Sequence, residues 1–287
     1  MKVSGGRRTS FLLSAGAPAL VAACLAGTAF ALPFLWMVLT SLASREDALS
    51  GRILEGTLHP ENYLEAVERM PIGLQARNTI LITALVVTGT VLASSFVGFA
   101  FARLRFRGRE FVFLLVLSSM MLPAQVTMIP QFLLFRELGW IDTFLPLTAP
   151  SFVAGSGMSA FFIFLFRQFY RTLPVELEEA ARIDGCGPFR TWFRIFLPAS
   201  LPAAGTCAVF SFVWTWNDFL HPLLFLQSPE KHTLTLGLAA FRGSRYGLSE
   251  VHVLMAASTL VILPCILCFL LGQRWFLRSI SEGTVKG

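Results

Sequence analysis

Charge is what this chain has least of. Only 14% of its 287 residues are Asp, Glu, Lys or Arg, against about 25% in a soluble domain. Together with 55% hydrophobic residues and a mean hydropathy of +0.67, this excludes an ordinary water-soluble fold. Several chemistries are missing too. No G-x-x-x-x-G-K-[ST] phosphate loop occurs, so nucleotide chemistry of the usual kind is excluded. No H-E-x-x-H or G-x-S-x-G pattern occurs either, and His221 and His252 stand alone in their apolar segments, which leaves an intramembrane hydrolase without a nucleophile or a metal set. The five cysteines build no disulfide framework. Cys24, Cys207, Cys265 and Cys268 sit in apolar runs and read as small packing residues, while Cys186 lies in a polar loop. Cys265 and Cys268 share a helical face, but no His or carboxylate accompanies them, so no metal site is expected.

What is present is a series of charge-free runs: Arg8 to Arg45, Arg77 to Arg103, Glu110 to Arg136, Asp142 to Arg167, Arg194 to Asp218 and Glu250 to Arg274. Each reaches the roughly 20 residues that a helix needs to cross about 30 Å of hydrocarbon. The expected fold class is therefore all-α, a polytopic membrane protein with six transmembrane helices. The first covers 18–42 and the other five lie within 78–275. Ala29-Phe30-Ala31 resembles a signal-peptide cleavage site, but the apolar run continues through Val38, which fits a retained helix. The Arg7-Arg8 pair does not make a twin-arginine signal, because Phe11 is one position too far along.

The net charge of +6 raises the question of a nucleic-acid partner, and its distribution answers it. Most of the basic residues fall in the N-terminal segment 1–17, in "RLRFRGRE", in the loop 171–202 and in the tail 276–287, whereas the segment 43–77 carries Glu46, Asp47, Glu55, Glu61, Glu65 and Glu68. Such a bias sets orientation. Both termini are expected in the cytoplasm, 43–77 is expected outside, and the positive charge faces membrane lipid rather than a polynucleotide.

Within the spans, polar and helix-breaking residues mark possible pathways. Pro123 and Pro130 each remove a backbone hydrogen bond from the third span, which should kink or unwind, either for packing or beside a permeation path that Gln125 would line. In the fourth span, 146–166, Gly155, Ser156, Gly157 and Ser159 offer a small-residue surface for close helix contact. In the fifth, 203–225, Trp214, Asn217, Asp218 and His221 recur at i, i+3, i+4 and i+7, a polar and aromatic face suited to a sugar. Asp218 is the one clear acid inside a span and so a functional candidate. Its height, about 22 Å from the inner end, equally suits a solvated or helix-pairing group. A secondary transporter would show several such carboxylates.

The loop 171–202 holds the densest charge. Pro174 suits a helix start, Glu176, Glu178 and Glu179 suit the positive end of the helix dipole, Glu178 and Arg182 stand at i and i+4, and Gly185 with Gly187-Pro188 supplies a stop. Phe189, Trp192, Phe193 and Phe196 then repeat on one face opposite Arg190 and Arg194, the pattern of an interfacial helix. The first of these short helices is pushed outward. It is either a solvated connector or a helix that docks in a groove on a soluble partner.

The spelling of this loop resembles a known family. "EAARIDGCGPFRTWFRIFLP" matches without a gap the EAA loop of bacterial ABC importer permeases: Glu179-Ala180-Ala181, three residues, Gly185, nine residues, Ile195, one residue, Leu197-Pro198. "FLFRQFYRTLPVELEEAARIDG", "MMLPAQVTMIPQF", "WNDFLHPLLF" and "QRWF" look like the maltose-type carbohydrate branch and its second permease subunit, over almost the whole chain and weakest before about residue 60. The resemblance implies a type I ABC importer permease fold in the bacterial inner membrane. It implies as partners a second permease subunit, two cytoplasmic ATPase subunits and an extracytoplasmic solute-binding protein. The chain would be a transport subunit and not an enzyme, with no cofactor of its own, ATP and Mg being bound by the partner ATPase. Glu178, Glu179, Ala180, Ala181, Arg182, Asp184 and Gly185 would dock in the ATPase. Sugar or oligosaccharide is the implied cargo, with glycerol-3-phosphate or another polar solute of the same class as the alternative, and the segment Gln227–Glu250 corresponds by position to a loop that enters the binding protein.

Overall fold

The computed structural model describes residues 17–53, 55–244 and 249–284, so that Lys2, Arg7, Arg8 and Lys286, on which part of the orientation argument rests, lie outside the described residues. Among the described residues the chain is helical and holds no strand. It divides into two compact units, one made of residues up to Arg69 with Phe241–Leu260, the other of Met70–Ala240 with residues from Val261 onward.

In the first unit, α1 (Ala17–Ser41) exposes Leu20, Leu25, Phe30, Phe34 and Trp36. A helix apolar on its open faces is built for lipid, where every backbone group must bond within the helix. Its C-terminal carbonyls are met from the polar segment that follows α2 (Arg45–Ser50). Asn62, at the start of α3 (Asn62–Arg69), donates Nδ2 to Ser41 O and Ala43 O, both at 2.9 Å, and Tyr63 Oη bonds Ser41 Oγ at 2.7 Å. Arg69 pairs with both Glu65 and Glu250, and Arg45 Nε donates to Ser249 O at 3.0 Å.

In the second unit everything is arranged around α4 (Ile72–Arg103), which begins ahead of the expected Asn78. At about 1.5 Å per residue its 32 residues are roughly 48 Å long. After it in the chain come α5 (Arg109–Ser118), α6 (Ala124–Glu137), α7 (Leu145–Phe152), α8 (Ser159–Thr172), α9 (Glu176–Ile183), α10 (Pro188–Ala199), α11 (Leu201–Trp216) and α12 (Leu220–Phe225), and then α13 (Leu234–Gly243) and α14 (Val251–Thr284), each of which has residues in both units. Close approach to α4 depends on its small residues. A Cβ on Gly89 would stand 2.4 Å from Ser151 Oγ of α7, and one on Gly98 would stand 2.7 Å from Phe166 Cβ of α8.

Among the described residues three helices are long and apolar enough to cross a membrane, Ala19–Ser41, Ile72–Arg103 and Val251–Gly272. Two bent pairs raise the number to five if each is one span. Six membrane helices are therefore not all seen among the described residues, and the interruptions have causes. The third span breaks by 100° between Arg109–Met121 and Ala124–Glu137. Pro123 takes an extended backbone (φ −61°, ψ 135°) at that break, whereas Pro130 stays inside α6. The expected fourth span, 146–166, is two helices. Ala154 at φ +55° lies between them, and Gly155 N–H bonds back to Pro150 O at 2.8 Å, so the small residues there end a helix rather than line one. The fifth span starts with a 79° bend between Pro188–Ala199 and Leu201–Trp216. It stops at Trp216, before the expected end at Phe225.

The loop between α6 and α7 is fastened to the segment after α12. Asp142, at φ +59°, accepts Gln227 N–H and Ser228 N–H on Oδ1, both at 2.9 Å, and Ser228 Oγ (2.5 Å) and Lys231 Nζ (2.8 Å) on Oδ2. The Lys231 ammonium, and after it the Ser228 hydroxyl and amide, hold this carboxyl well below the usual carboxylate range.

Candidate functional site

The loop between α8 and α11 is anchored at both ends and open in the middle. At its start, Arg103 at the end of α4 donates Nη2 to Tyr170 O (2.6 Å), which also accepts the capping Leu173 N–H, and to Leu173 O (2.5 Å), and its guanidinium lies 5.1 Å from the Phe196 ring centroid. Arg167, buried in α8, donates Nη2 to both carboxylate oxygens of Glu110, at 2.6 and 2.7 Å, and stacks 3.9 Å over Phe113. At its far end, Trp192 Nε1 donates to Ser95 Oγ at 3.0 Å. That hydroxyl also bonds Tyr170 Oη at 2.6 Å, and Tyr170 Oη bonds Ser200 Oγ at 3.1 Å. Phe99, Phe162, Phe166, Tyr170, Trp192 and Phe196 close around this chain of hydroxyls as one buried cluster. Four elements, α4, α8, α10 and the start of α11, thus share one polar network inside an aromatic core, where a satisfied network fixes geometry.

The aromatic face expected on α10 is accordingly divided. Trp192 and Phe196 are buried, while Phe189 and Phe193 are exposed and stack on each other with 6.4 Å between centroids and an interplanar angle of 3°. A π-helical stretch, Trp192–Phe196, interrupts α10. Pro188 starts this helix at its first position and does not end the one before it.

Between the anchors stands α9. It carries Glu176, Glu178 and Glu179 in its first turn and Arg182 in its last, matching the helix dipole at both ends. Its C-terminus closes as a Schellman motif: Gly185 N–H bonds Arg182 O at 3.1 Å, Cys186 N–H bonds Ala181 O at 2.8 Å, and Gly185 takes φ +72°. A Cβ at Gly185 would meet nothing within 4 Å, so glycine is there for its backbone, with open space in front of it. Glu178 and Arg182 pair at 2.8 Å, Arg182 exposed and Glu178 largely covered. Glu179, Ala180 and Asp184 are exposed, and the Glu179 carboxylate has no hydrogen bond or ion pair among the described residues. Ala181 is buried, so its smallness serves packing against this chain, and Ala180 is the alanine open to a partner. One residue escaped the sequence reading: Ile183 is 87% exposed at the end of α9. Its signal was an unpaired apolar residue beside the stop glycine.

The residues expected on a solute face are arranged differently. Asp218 Oδ2 bonds His221 Nδ1 at 2.8 Å, its Oδ1 accepts His221 N–H at 3.3 Å, and its carbonyl accepts Thr235 Oγ1 at 2.7 Å. This acid therefore joins the break before α12. Asn217 Nδ2 donates to Val213 O at 2.7 Å and to Cys265 Sγ at 3.6 Å. Trp214 is exposed on α11 and Gln125 is exposed on α6, just past the break at Pro123. The structure brings Asp218 and His221 together, and it leaves Trp214 and Gln125 with open side chains. No group of three or more His, Cys, Asp or Glu suited to a metal ion exists among the described residues.

A short, charged, exposed helix thus stands on a buried aromatic anchor, in a chain of long and broken apolar helices fit to cross a membrane. Comparison with known proteins gives the chain its family. Residues 90–282 match the family model described as "Binding-protein-dependent transport system inner membrane component", and the chain belongs to that family. It is 38% identical over 210 residues, 73% of each chain, to the arabinooligosaccharides transport system permease protein of Halalkalibacterium halodurans. It is 34% identical over 238 residues, 80% of this chain and 82% of the relative, to the sn-glycerol-3-phosphate transport system permease protein of Brucella abortus. Among solved structures, a bacterial ABC transporter involved in the import of the acidic polysaccharide alginate shares the fold, with a TM-score of 0.74, 23% identity and coverage of 96% of this chain and 99% of that one. The chain is thus an ABC transporter permease, a multi-pass inner-membrane transport subunit of the carbohydrate-transport type.

Proposed function

We propose that this chain forms half of the translocation pathway of an ATP-driven, binding-protein-dependent importer of a sugar or oligosaccharide, and that α9 is the element a cytoplasmic ATPase grips. The observation that carries this reading is the contrast within the loop. Its ends are locked to α4 and α8 by buried bonds, yet α9 presents Glu179, Ala180, Ile183 and the bare backbone of Gly185 with nothing on them. A partner that moves α9 therefore moves the bundle. ATP and Mg belong to that partner, a second permease completes the pathway, and a solute-binding protein delivers the cargo. Support for a carbohydrate comes from relatives such as the arabinooligosaccharide permease. The glycerol-3-phosphate relative supports a second reading within the same class, and solute binding to the cognate binding protein separates the two.

Glu179→Lys combined with Gly185→Asp should leave the protein inserted but abolish transport, because losing one partner of a desolvated charge pair costs about 2 to 5 kcal/mol. Co-purification of the ATPase and solute-stimulated ATP hydrolysis are the measurements, and wild-type values for both would return α9 to a plain connector. The orientation follows from the arginine asymmetry, with both termini in the cytoplasm. In intact cells an impermeant thiol reagent should miss Cys186 and label a cysteine placed at Ser244, and the reverse pattern would invert the topology.

A further inference from the structure

The turn between α4 and α5 contains two arginines that the fold does not use. Arg103 is committed to Tyr170 O and Leu173 O, and Arg109 donates Nη1 to Leu104 O at 3.2 Å and Nη2 to Glu110 Oε1 at 3.1 Å. Arg105 and Arg107 are exposed, with no hydrogen bond or ion pair among the described residues. Between them Phe106 is partly exposed, its ring 6.0 Å from that of Phe101. Both arginines line one open recess with Phe106, Gly108 and Phe111, and the Glu110 carboxylate that also borders it is already paired with Arg109 and Arg167.

From that recess the outer face of α5 runs on as an apolar row. Phe111, Leu114 and Leu115 are 66%, 62% and 54% exposed, while Phe113 is buried against Phe101 and Ile163. Two free guanidiniums stand at the head of this row, where the bilayer edge falls, at the junction of the apolar helix Ile72–Arg103 and the bent pair that starts at Arg109. An anionic head joined to a long apolar tail complements both features at once, and a small free anion complements only the first. We propose that residues 105–115 form a binding site for an anionic phospholipid, with the phosphate on Arg105 and Arg107 and an acyl chain along Phe111, Leu114 and Leu115. The site depends on the membrane placement of α4 and α5. It does not depend on transport or on which leaflet the turn faces.

The test uses the full chain, purified in detergent and offered equal amounts of phosphatidylglycerol and phosphatidylcholine, with retained lipid counted by native mass spectrometry. The wild-type chain should hold phosphatidylglycerol selectively. Each basic residue at an anionic surface is worth about fivefold, so Arg105→Gln with Arg107→Gln should lower that retention by about twenty-five-fold, while Arg190→Gln with Arg194→Gln leaves it unchanged. Leu114→Ser with Leu115→Ser should weaken retention with the arginines intact, and millimolar inorganic phosphate should not displace the lipid. Equal retention of the two lipids, undiminished retention in the Arg105/Arg107 variant, or displacement by phosphate would each overturn the proposal, the last by reducing the site to a free-anion patch. If instead a second permease covers the row, the assembled complex will carry no phosphatidylglycerol in the wild-type form, and the proposal fails.

Discussion

The loop between α8 and α11 and the face around Asp218 both looked functional for the same reason, polar residues in an apolar chain, and the structure treats them in opposite ways. Around α9 the polar groups divide into two sets. Arg103, Ser95, Tyr170, Trp192 and Ser200 are spent on one another inside the core, and Glu179 with Ile183 is left over on the outside. Around Asp218 the same side chains do both jobs. The carboxylate bonds His221 and so is already occupied where a solute would need it. The lesson is that a polar residue in a membrane helix must first satisfy the backbone and side chains freed by a break, and only what remains after that is available to a partner or a cargo.

Three substitutions put this contrast under strain. The largest effect should come from the anchor. Phe196→Ala removes a fully buried ring that packs against Phe99 and Tyr170, so thermal unfolding in detergent should report a loss of about 3 to 5 kcal/mol. A loss below about 1 kcal/mol would mean that the aromatic cluster does not hold the loop. Next comes Gly185→Ala. With φ at +72° and open space around the new methyl group, the cost should be strain alone, about 1 kcal/mol, and ATPase co-purification should survive. If Gly185→Ala releases the ATPase as completely as Gly185→Asp does, then contact rather than backbone handedness is what glycine provides. The smallest effect is expected from Asp218→Asn. It keeps the shape and an acceptor for His221 N–H while deleting the charge, so solute uptake should change by less than about twofold. A tenfold loss would restore Asp218 to the solute pathway.

The sequence showed α9 well because the signals there are local. Dipole-matched charges, an i,i+4 pair and a stop glycine all act within one or two turns, and the helix observed at Glu176–Ile183 with Gly185 left-handed follows from them. The anchors were invisible for the converse reason. Trp192 and Ser95, or Arg103 and Tyr170, meet only through the packing of α4 against α8 and α10, and no pattern in the intervening chain announces the pairing. The broken spans were legible in part. Pro123 interrupts its helix as a missing N–H demands, whereas the Gly155-Ser156-Gly157 stretch admitted two physical readings, close helix contact or a helix end, and only the left-handed backbone at Ala154 decides for the second. Belonging to a family of binding-protein-dependent permeases was written in the spacing from Glu179 to Pro198, the one stretch where residue identity and not merely polarity was distinctive.

The π-helical stretch Trp192–Phe196 has a consequence for how the length of this chain can drift. Bonds from i to i+5 hold one residue more than the α-helical turn needs, so these five positions are where a single-residue deletion can be absorbed locally, by reverting to α-helical bonding. The same deletion inside α4 would rotate every later side chain by about 100° and turn Ser95 and Phe99 away from their partners. Reading-frame-preserving deletions should therefore yield inserted, folded protein when they fall within 192–196 and aggregated protein when they fall within 83–94, a difference that expression yield alone can score.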